Sequence, residues 1–409
     1  MLGRRMIVNR KTGMNTDDSL PKPADTPTGT YLSIPGGYAF LPAPLPRKVQ
    51  LDSDVIYLLD QATHLVGILS ALVEALPNSQ VLVRPFVTRE AVLSSRIEGT
   101  QTVVTDLLLY EGTEQRTDPS GDAAEVANYA EALEYGIDAL ARLPLSVRLF
   151  NEIHEILMQG VRGHDKRPGE LRDKQVIIGL PGSSVRTATF VPPPAQFVRD
   201  MLTHLELFVN ADIKIPPLVV CAMLHSQFET IHPYLDGNGR IGRLLIILYL
   251  RHKRVLPAPL LYLSAYLERN RSEYYRQLNL IRETGDWNRW LLFFLTGVEE
   301  EAQDAIRRAR VLLNLQRSYR ERLLTRRTSA NALALVDQLF STPYVTRGLV
   351  AKRLGVTKAG AKGIIDRLRR AGVLEPVPGH YPALFVAPEL VAAIEAPVAP
   401  EADDDPLAR

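Results

Sequence analysis

A histidine, an aspartate, a glycine-rich turn and two arginines fall within one stretch, Ile231-His232-Pro233-Tyr234-Leu235-Asp236-Gly237-Asn238-Gly239-Arg240-Ile241-Gly242-Arg243. An apolar helical pattern precedes it, Pro233 ends that helix, and a second helical pattern starts near Gly239. Gly237, Asn238 and Gly239 therefore form a turn at a helix N-terminus, where bare N–H groups and the helix dipole welcome an anion. Arg240 and Arg243 lie three residues apart on the first turn, with guanidinium forks suited to phosphate oxygens. Asp236 supplies a hard oxygen ligand for the Mg²⁺ that accompanies a polyphosphate. His232 is the nearby base that titrates near neutrality. Together these groups predict phosphoryl or nucleotidyl transfer.

Two other readings stay open at this level. Taken alone, Gly237-Asn238-Gly239 is also the mark of a tight turn between helices. His225, Glu229 and His232 share a helical face at i, i+4 and i+7, the spacing of a zinc site, although Pro233 puts His232 at a frayed helix end. A single cysteine, Cys221, excludes an intrachain disulfide and a cysteine-based zinc site.

The elements that must position these groups are mostly helical. Val55–Leu76 repeats its apolar residues at three- and four-residue steps, and similar periodicity runs through Phe86–Arg96, Ala123–Leu140, Leu145–Met158, Pro194–Phe208, Pro217–Ile231, Arg240–Arg251, Arg271–Glu283 and Trp287–Leu313. One segment departs from the pattern. Gln175–Ile178 and Val185–Val191 are apolar and β-branched on either side of Gly179-Leu180-Pro181-Gly182-Ser183-Ser184, which predicts a β-hairpin leaning on the helices.

The motif resembles the signature of Fic-domain proteins, His-Pro-Phe-x-(Asp/Glu)-Gly-Asn-Gly-Arg-x-x-Arg, with Tyr234 in place of phenylalanine. The resemblance implies a helical Fic core and transfer of AMP from ATP to a hydroxyl of a protein target. It implies that His232 deprotonates a Ser, Thr or Tyr whose oxygen attacks the α-phosphate. It further implies that Asp236 holds Mg²⁺, that Gly237, Asn238 and Gly239 cradle phosphate, and that Arg240 and Arg243 bind the polyphosphate. Gly237 is similar to the AMP-transferring branch, since the phosphorylating branch has a non-glycine residue in the anion turn. Pro168-Gly169-Glu170-x-Arg172, Gln175-Val176-Ile177-Ile178-Gly179 and Phe190-Val191-Pro192-Pro193-Pro194 look like the family's flap, whose edge docks an extended target segment. Tyr274-Tyr275 and Gly285-Asp286-Trp287 match a pattern around the adenine pocket, with Tyr274 as the candidate contact and a core role as its alternative. Upstream, Ser94-Ser95-Arg96-Ile97-Glu98-Gly99 resembles the inhibitory motif (Ser/Thr)-x-x-x-Glu-(Gly/Asn), in which Ser94, Glu98 and Gly99 are the matching positions. By that resemblance Glu98 sits at the nucleotide site, pairs with Arg243 and restrains the enzyme. The likeness spans residues 31–297, nearly two-thirds of the chain.

The 409 residues exceed one ordinary domain, and 46% hydrophobic against 23% charged residues describes a globular chain. Lys plus Arg (48) and Asp plus Glu (46) nearly cancel, but residues 305–372 hold 16 basic side chains against three acids. Within that region Val345–Leu374 resembles a winged helix-turn-helix: Gly355-Val356 makes the turn, Thr357 caps a second helix, and residues 372–386 supply a wing. Lys358, Lys362, Arg367, Arg369 and Arg370 would meet DNA phosphates if that helix enters a major groove. The alternative is a dimerisation or docking module. The expected organisation is a disordered arm (1–28), an N-terminal helical region with the inhibitory helix (29–115), a Fic core (116–300), a linker helix (301–330), a winged helix-turn-helix (331–395) and a disordered tail (396–409). The expected fold is mainly α, a Fic helical core with a β-hairpin flap plus the winged helix domain. The longest apolar runs, Leu218–Leu224 and Leu244–Leu250, are too short for a membrane span, and no secretory signal is evident, so a cytoplasmic location is expected. The functional expectation is a protein adenylyltransferase using ATP and Mg²⁺ on a protein hydroxyl, its own included. The competing class is a DNA-binding regulator whose core senses nucleotide or removes AMP. A homo-oligomer is compatible with either.

Overall fold

The computed structural model describes residues 22–76, 78–113, 118, 121–324 and 329–396. The chain is mainly helical, as its periodicity predicts. The first elements among the described residues form an antiparallel hairpin, β1 (Gly29–Ile34) and β2 (Gly37–Pro42), joined at Pro35-Gly36 with Gly36 at φ 87°. Then follow α1 (Ser53–Glu74), α2 (Gln80–Ile97), α3 (Val104–Gly112), α4 (Ala123–Ala139), α5 (Val147–Leu157), α6 (Ala195–Asn210), α7 (Pro217–Ile231), α8 (Asn238–His252), α9 (Ser264–Arg269), α10 (Arg271–Thr284) and α11 (Trp287–Leu323). The C-terminal elements are α12 (Ala330–Leu339), β3 (Tyr344–Thr346), α13 (Arg347–Leu354), α14 (Lys358–Arg370), β4 (Glu375–Val377), β5 (Leu384–Val386) and α15 (Pro388–Glu395).

Helices α7 and α8 form the centre. Nearly every residue of both is buried, which their all-round apolar sequences require. Pro217 starts α7 at a position where no backbone donor is lost. Around this pair pack α2, α4, α5, α6, α10 and α11. Helix α1 has the length and composition to cross a membrane; here its Val55, Ala62, Leu65, Val66, Leu69 and Val73 are buried, and it lies along α11.

Three expectations need correction. The hairpin over Gln175–Val191 is reduced to one antiparallel bridge, Ile178 with Phe190, because Gly179, Pro181 and Gly182 spend the intervening residues in tight turns and Pro192 to Pro194 lack donors. The arm expected to be disordered to residue 28 is anchored at its end: Thr26 Oγ1 donates to Arg282 O (2.8 Å) and Thr28 Oγ1 to Ile281 O (3.0 Å). The linker helix expected over 301–330 is the second half of α11, which ends at Leu323, and its Ala302, Ala305, Ile306, Ala309, Leu312 and Tyr319 are buried. The remainder of the arm, residues 1–21, linker residues 325–328 and tail residues 397–409 lie outside the described residues.

In the C-terminal region Thr346 and Thr357 cap α13 and α14, their hydroxyls accepting from Leu349 N and Gly360 N, and Gly355 turns the chain at φ 63°. Strands β3, β5 and β4 form an antiparallel sheet in that order. This unit is not free-standing. Helix α15 packs on α2, α3 and α11, and the buried Arg308 of α11 donates to the carbonyls of Ala393, Ile394 and Ala396.

Candidate active site

The motif loop links the end of α7 to the start of α8. His232 leaves the helix in the left-handed region (φ 49°), a conformation that Pro233 makes final by removing the next donor. Asn238 closes the loop: its Oδ1 accepts from Tyr234 N (2.8 Å) and its Nδ2 donates to Tyr234 O (2.9 Å). Gly237 sits at φ 77°, and a Cβ there would lie 2.9 Å from Met158 Sδ. No side chain caps the first turn of α8, so its N–H groups face the mouth of the loop.

Long-range contacts hold that loop rigid. The Tyr234 hydroxyl, an addition relative to a phenylalanine, donates to Asn151 Oδ1 (2.9 Å), and its ring stacks on His154 at 3.8 Å. His154 Nδ1 accepts from Gly169 N (2.9 Å), which leaves Nε2 to donate to Asp236 O (3.0 Å). Burial pushes His154 down to about 4, so it stays neutral in this structural role. Arg172, a matched residue of the flap, is buried and donates from Nε to His232 O (2.8 Å) and from its backbone N to Pro233 O (2.9 Å). It ties the flap to the motif.

Burial, and then the charges of Arg172 and Arg282, push His232 down to about 3, so the imidazole is neutral at physiological pH. Its Nδ1 is buried without a partner. Nδ1 is closed to an incoming hydroxyl, which leaves Nε2 as the nitrogen that could accept a proton.

The two arginines are not free forks, as their spacing alone suggests. Arg240 is buried with Nη1 donating to Glu125 Oε1 (2.6 Å). Arg243 is buried with Nε donating to Ser94 Oγ (2.8 Å) and Nη2 to both Ser94 O (2.9 Å) and Glu98 Oε1 (2.7 Å). Burial raises the Glu98 carboxyl, but Arg243 outweighs it and holds the group below its usual range, hence ionised. Ser94 and Glu98 come from the last turns of α2, and Gly99 then turns the chain at φ 99°.

Asp236 is half-exposed, takes a hydrogen bond from Gly237 N on Oδ1 (2.6 Å), and lies 3.8 Å from Arg240 Nη2. A single carboxylate at the lip of an anion turn fits Mg²⁺, which takes one or two protein carboxylates and completes its shell with water and phosphate. The zinc alternative fits less well. Both ring nitrogens of His225 are engaged, Nδ1 with Gly242 O (3.0 Å) and Nε2 with the Tyr274 hydroxyl (2.9 Å). No group of three or more His, Cys, Asp or Glu converges among the described residues.

Tyr274 is placed in the core on His225, which favours its packing role, while the ring of Tyr275 is the exposed one. In the flap, Gln175 Nε2 donates to Pro192 O (2.7 Å). Because Ile178 spends both backbone groups on Phe190, antiparallel geometry turns those of Ile177 and Gly179 outward. Val176 precedes them on the same half-exposed edge. Sequence reasoning missed Glu125, Asn151 and His154. They lie far from the motif in the chain, and nothing in their local spacing marks them.

Residues 56–138 match the sequence profile of the Fic/DOC family N-terminal region, and residues 144–250 match that of the Fic/DOC family. The chain thus carries a Fic N-terminal domain and a Fic domain. A probable protein adenylyltransferase of Aquifex aeolicus is 31% identical over 85 residues, 21% of this chain and 24% of its own length. A protein adenylyltransferase of Caenorhabditis briggsae is 26% identical over 184 residues, 42% of this chain and 32% of its own. The chain therefore spans about a quarter to a third of the length of these curated relatives. The crystal structure of a Fic family protein from Desulfovibrio desulfuricans G20 superposes with a TM-score of 0.54 at 19% identity, covering 83% of this chain and 97% of that one, and so shares its fold.

Proposed function

We propose that this protein is an adenylyltransferase that moves AMP from ATP to a Ser, Thr or Tyr hydroxyl of a protein target, and that Glu98 restrains it. The observation that carries the reading is the neutral His232, half-buried at the end of α7 beside an uncapped helix N-terminus. In this reading His232 takes the proton of the target hydroxyl. The freed oxygen bonds to the α-phosphorus, and the bond to the β-phosphate oxygen breaks, releasing pyrophosphate. The N–H groups of Asn238 and Gly239 stabilise the charge that develops on the transferred phosphate, while Gly237 N holds Asp236 Oδ1 beside it. Asp236 would hold Mg²⁺, which supplies charge neutralisation and orientation of the polyphosphate. The outward backbone of Ile177 and Gly179 is suited to pair with an extended target segment, whose hydroxyl then reaches His232.

Incubation with labelled ATP and Mg²⁺ tests the reading. Label should enter a protein side chain with the Glu98→Gly variant and not with His232→Ala. Absence of labelled protein with folded, ATP-bound Glu98→Gly would overturn it and favour a nucleotide-sensing role.

The topology α12-β3-α13-α14-β4-β5 supports a second, additional proposal, that the C-terminal unit is a winged helix-turn-helix that contacts DNA. Lys358, Lys362, Arg369 and Arg370 are exposed on α14, and Tyr381 is exposed on the β4–β5 connection.

A further inference from the structure

We propose that Arg162, a residue outside the motif, is a third phosphate-binding guanidinium of the site and acts on the phosphates beyond the α position. The inference rests on the nucleotide reading given above and adds a ligand to it. Arg162 lies in the turn Gly160-Val161-Arg162-Gly163, where Gly160 (φ 67°) and Gly163 (φ 84°) are both left-handed. The turn is pressed against the motif: a Cβ on Gly163 would stand 2.8 Å from Asp236 Oδ2 and 2.6 Å from Met158 Cε. Further bonds, His164 N to Val161 O (3.0 Å) and Lys166 N to Gly163 O (2.8 Å), fix its shape. Arg162 is thereby held between Asp236 on one side and the end of α2 on the other.

Its present partners are weak ones. Nη2 reaches the Glu98 carbonyl at 3.5 Å and Glu125 Oε1 at 3.3 Å, both near the limit of a hydrogen bond. That same Glu125 oxygen already takes a 2.6 Å bond from Arg240. Glu125 is 3% exposed and Arg162 is 60% exposed, so the guanidinium reaches the site's rim while its remaining donors face solvent. Arg240 is committed to Glu125 and Arg243 to Ser94 and Glu98. A polyphosphate seated on Gly237–Gly239 therefore meets Arg162 as the arginine that can turn to it at least cost. Planar, bidentate donors are suited to that contact.

Calorimetry with ATP, ADP and AMP on the full chain tests the proposal, with Glu98→Gly as parent and Arg162→Ala and Arg162→Lys added to it. A charge-assisted contact predicts roughly tenfold to hundredfold weaker ATP and ADP binding for Arg162→Ala. AMP binding should be unchanged, and Arg162→Lys should recover part of the loss. In labelled transfer, Arg162→Ala should raise KM for ATP by a similar factor. Equal weakening of ATP and AMP would assign Arg162 a merely structural role and overturn the proposal, as would ATP binding at the parent's level. A parent that binds AMP and ATP but transfers no label would defeat the transferase reading while leaving the binding comparison decisive. A parent that binds no nucleotide would defeat both.

Discussion

Glu98 Oε1 lies 2.7 Å from Arg243 Nη2, and the same oxygen would stand 2.3 Å from a Cβ on Gly239. One carboxylate thus occupies both the fork of the second motif arginine and the space over the anion turn. In the proposed reading a triphosphate needs the same fork and the same turn. The competition is between two anions for one buried cation, where charge-assisted bonds are strong.

Removing that carboxylate should activate the enzyme. Glu98→Gly is expected to raise AMP transfer by about 100-fold or more, since a misplacement of about 1 Å can cost that much. Arg243→Ala should not mimic it, because it removes the fork that the phosphate requires. Initial rates with labelled ATP for both variants decide the matter: equal rates for Glu98→Gly and the unaltered chain would reduce residues 94–99 to a helix end.

His232→Ala should abolish transfer without abolishing nucleotide binding. Loss of a general base costs roughly 10²–10⁴-fold in rate. The loop's shape is held chiefly by Asn238, Tyr234, His154 and Arg172 rather than by the imidazole. Near-normal turnover by a folded, ATP-bound variant would remove His232 from the reaction.

The parts of the fold legible in the sequence are those whose cause is local. Helices α7 and α8 follow from their apolar runs, Pro217 and Pro233, and the motif is contiguous, so its loop could be read at once. Contacts across the chain were not legible. Glu125 reaches Arg240 over 115 residues and His154 reaches Asp236 over 82, and no spacing rule links such pairs. The β1–β2 hairpin carried a local signal, Pro35-Gly36, which the neighbouring proline-rich sequence masked. The hairpin expected at Gln175–Val191 shows the reverse error: β-branched composition marked strands, and the turn residues left room for one bridge. Tyr274 matched a ligand pattern with a core role as its alternative, and its burial on His225 favours the core role.

DNA contact through the C-terminal unit should show in its salt dependence. Each phosphate neutralised by Lys or Arg adds about 0.9 to the slope of log K against log salt. Replacing Lys358, Lys362, Arg369 and Arg370 by alanine in the full chain should flatten that slope and weaken binding to any duplex. Deleting the unit would be a poor substitute, because Arg308 would lose the carbonyls of α15 that satisfy it. Duplex binding with an unchanged slope in the quadruple variant would move the unit to protein docking.

Helix α2 also carries a buried acid, and its titration should be visible as stability. Glu90 lies two turns before Glu98 on α2; its Oε1 accepts from Tyr129 and Ser264 hydroxyls (2.9 and 2.6 Å), while Oε2 is buried with no partner. Burial pushes its carboxyl up to about 7, although those hydrogen bonds and Arg243 pull the other way. An acid whose folded pKa exceeds its unfolded value keeps its proton in the fold and loses it on unfolding. Its contribution to stability is therefore fully present below about pH 4.5 and is lost as pH rises toward about 7. The loss amounts to about 3 kcal/mol at most, at 1.36 kcal/mol per unit. Glu90→Gln replaces the acid with a group that cannot ionise and still offers an oxygen to Tyr129 and Ser264. Denaturant unfolding at pH 5 and pH 8 should find the variant gaining on the unaltered chain as pH rises, by up to that amount. Other acids, such as Glu229, titrate in both proteins and cancel in the comparison. A difference between the two chains that stays constant from pH 5 to pH 8 would mean that Glu90 is ionised throughout, with Arg243 rather than a proton as its counter-charge.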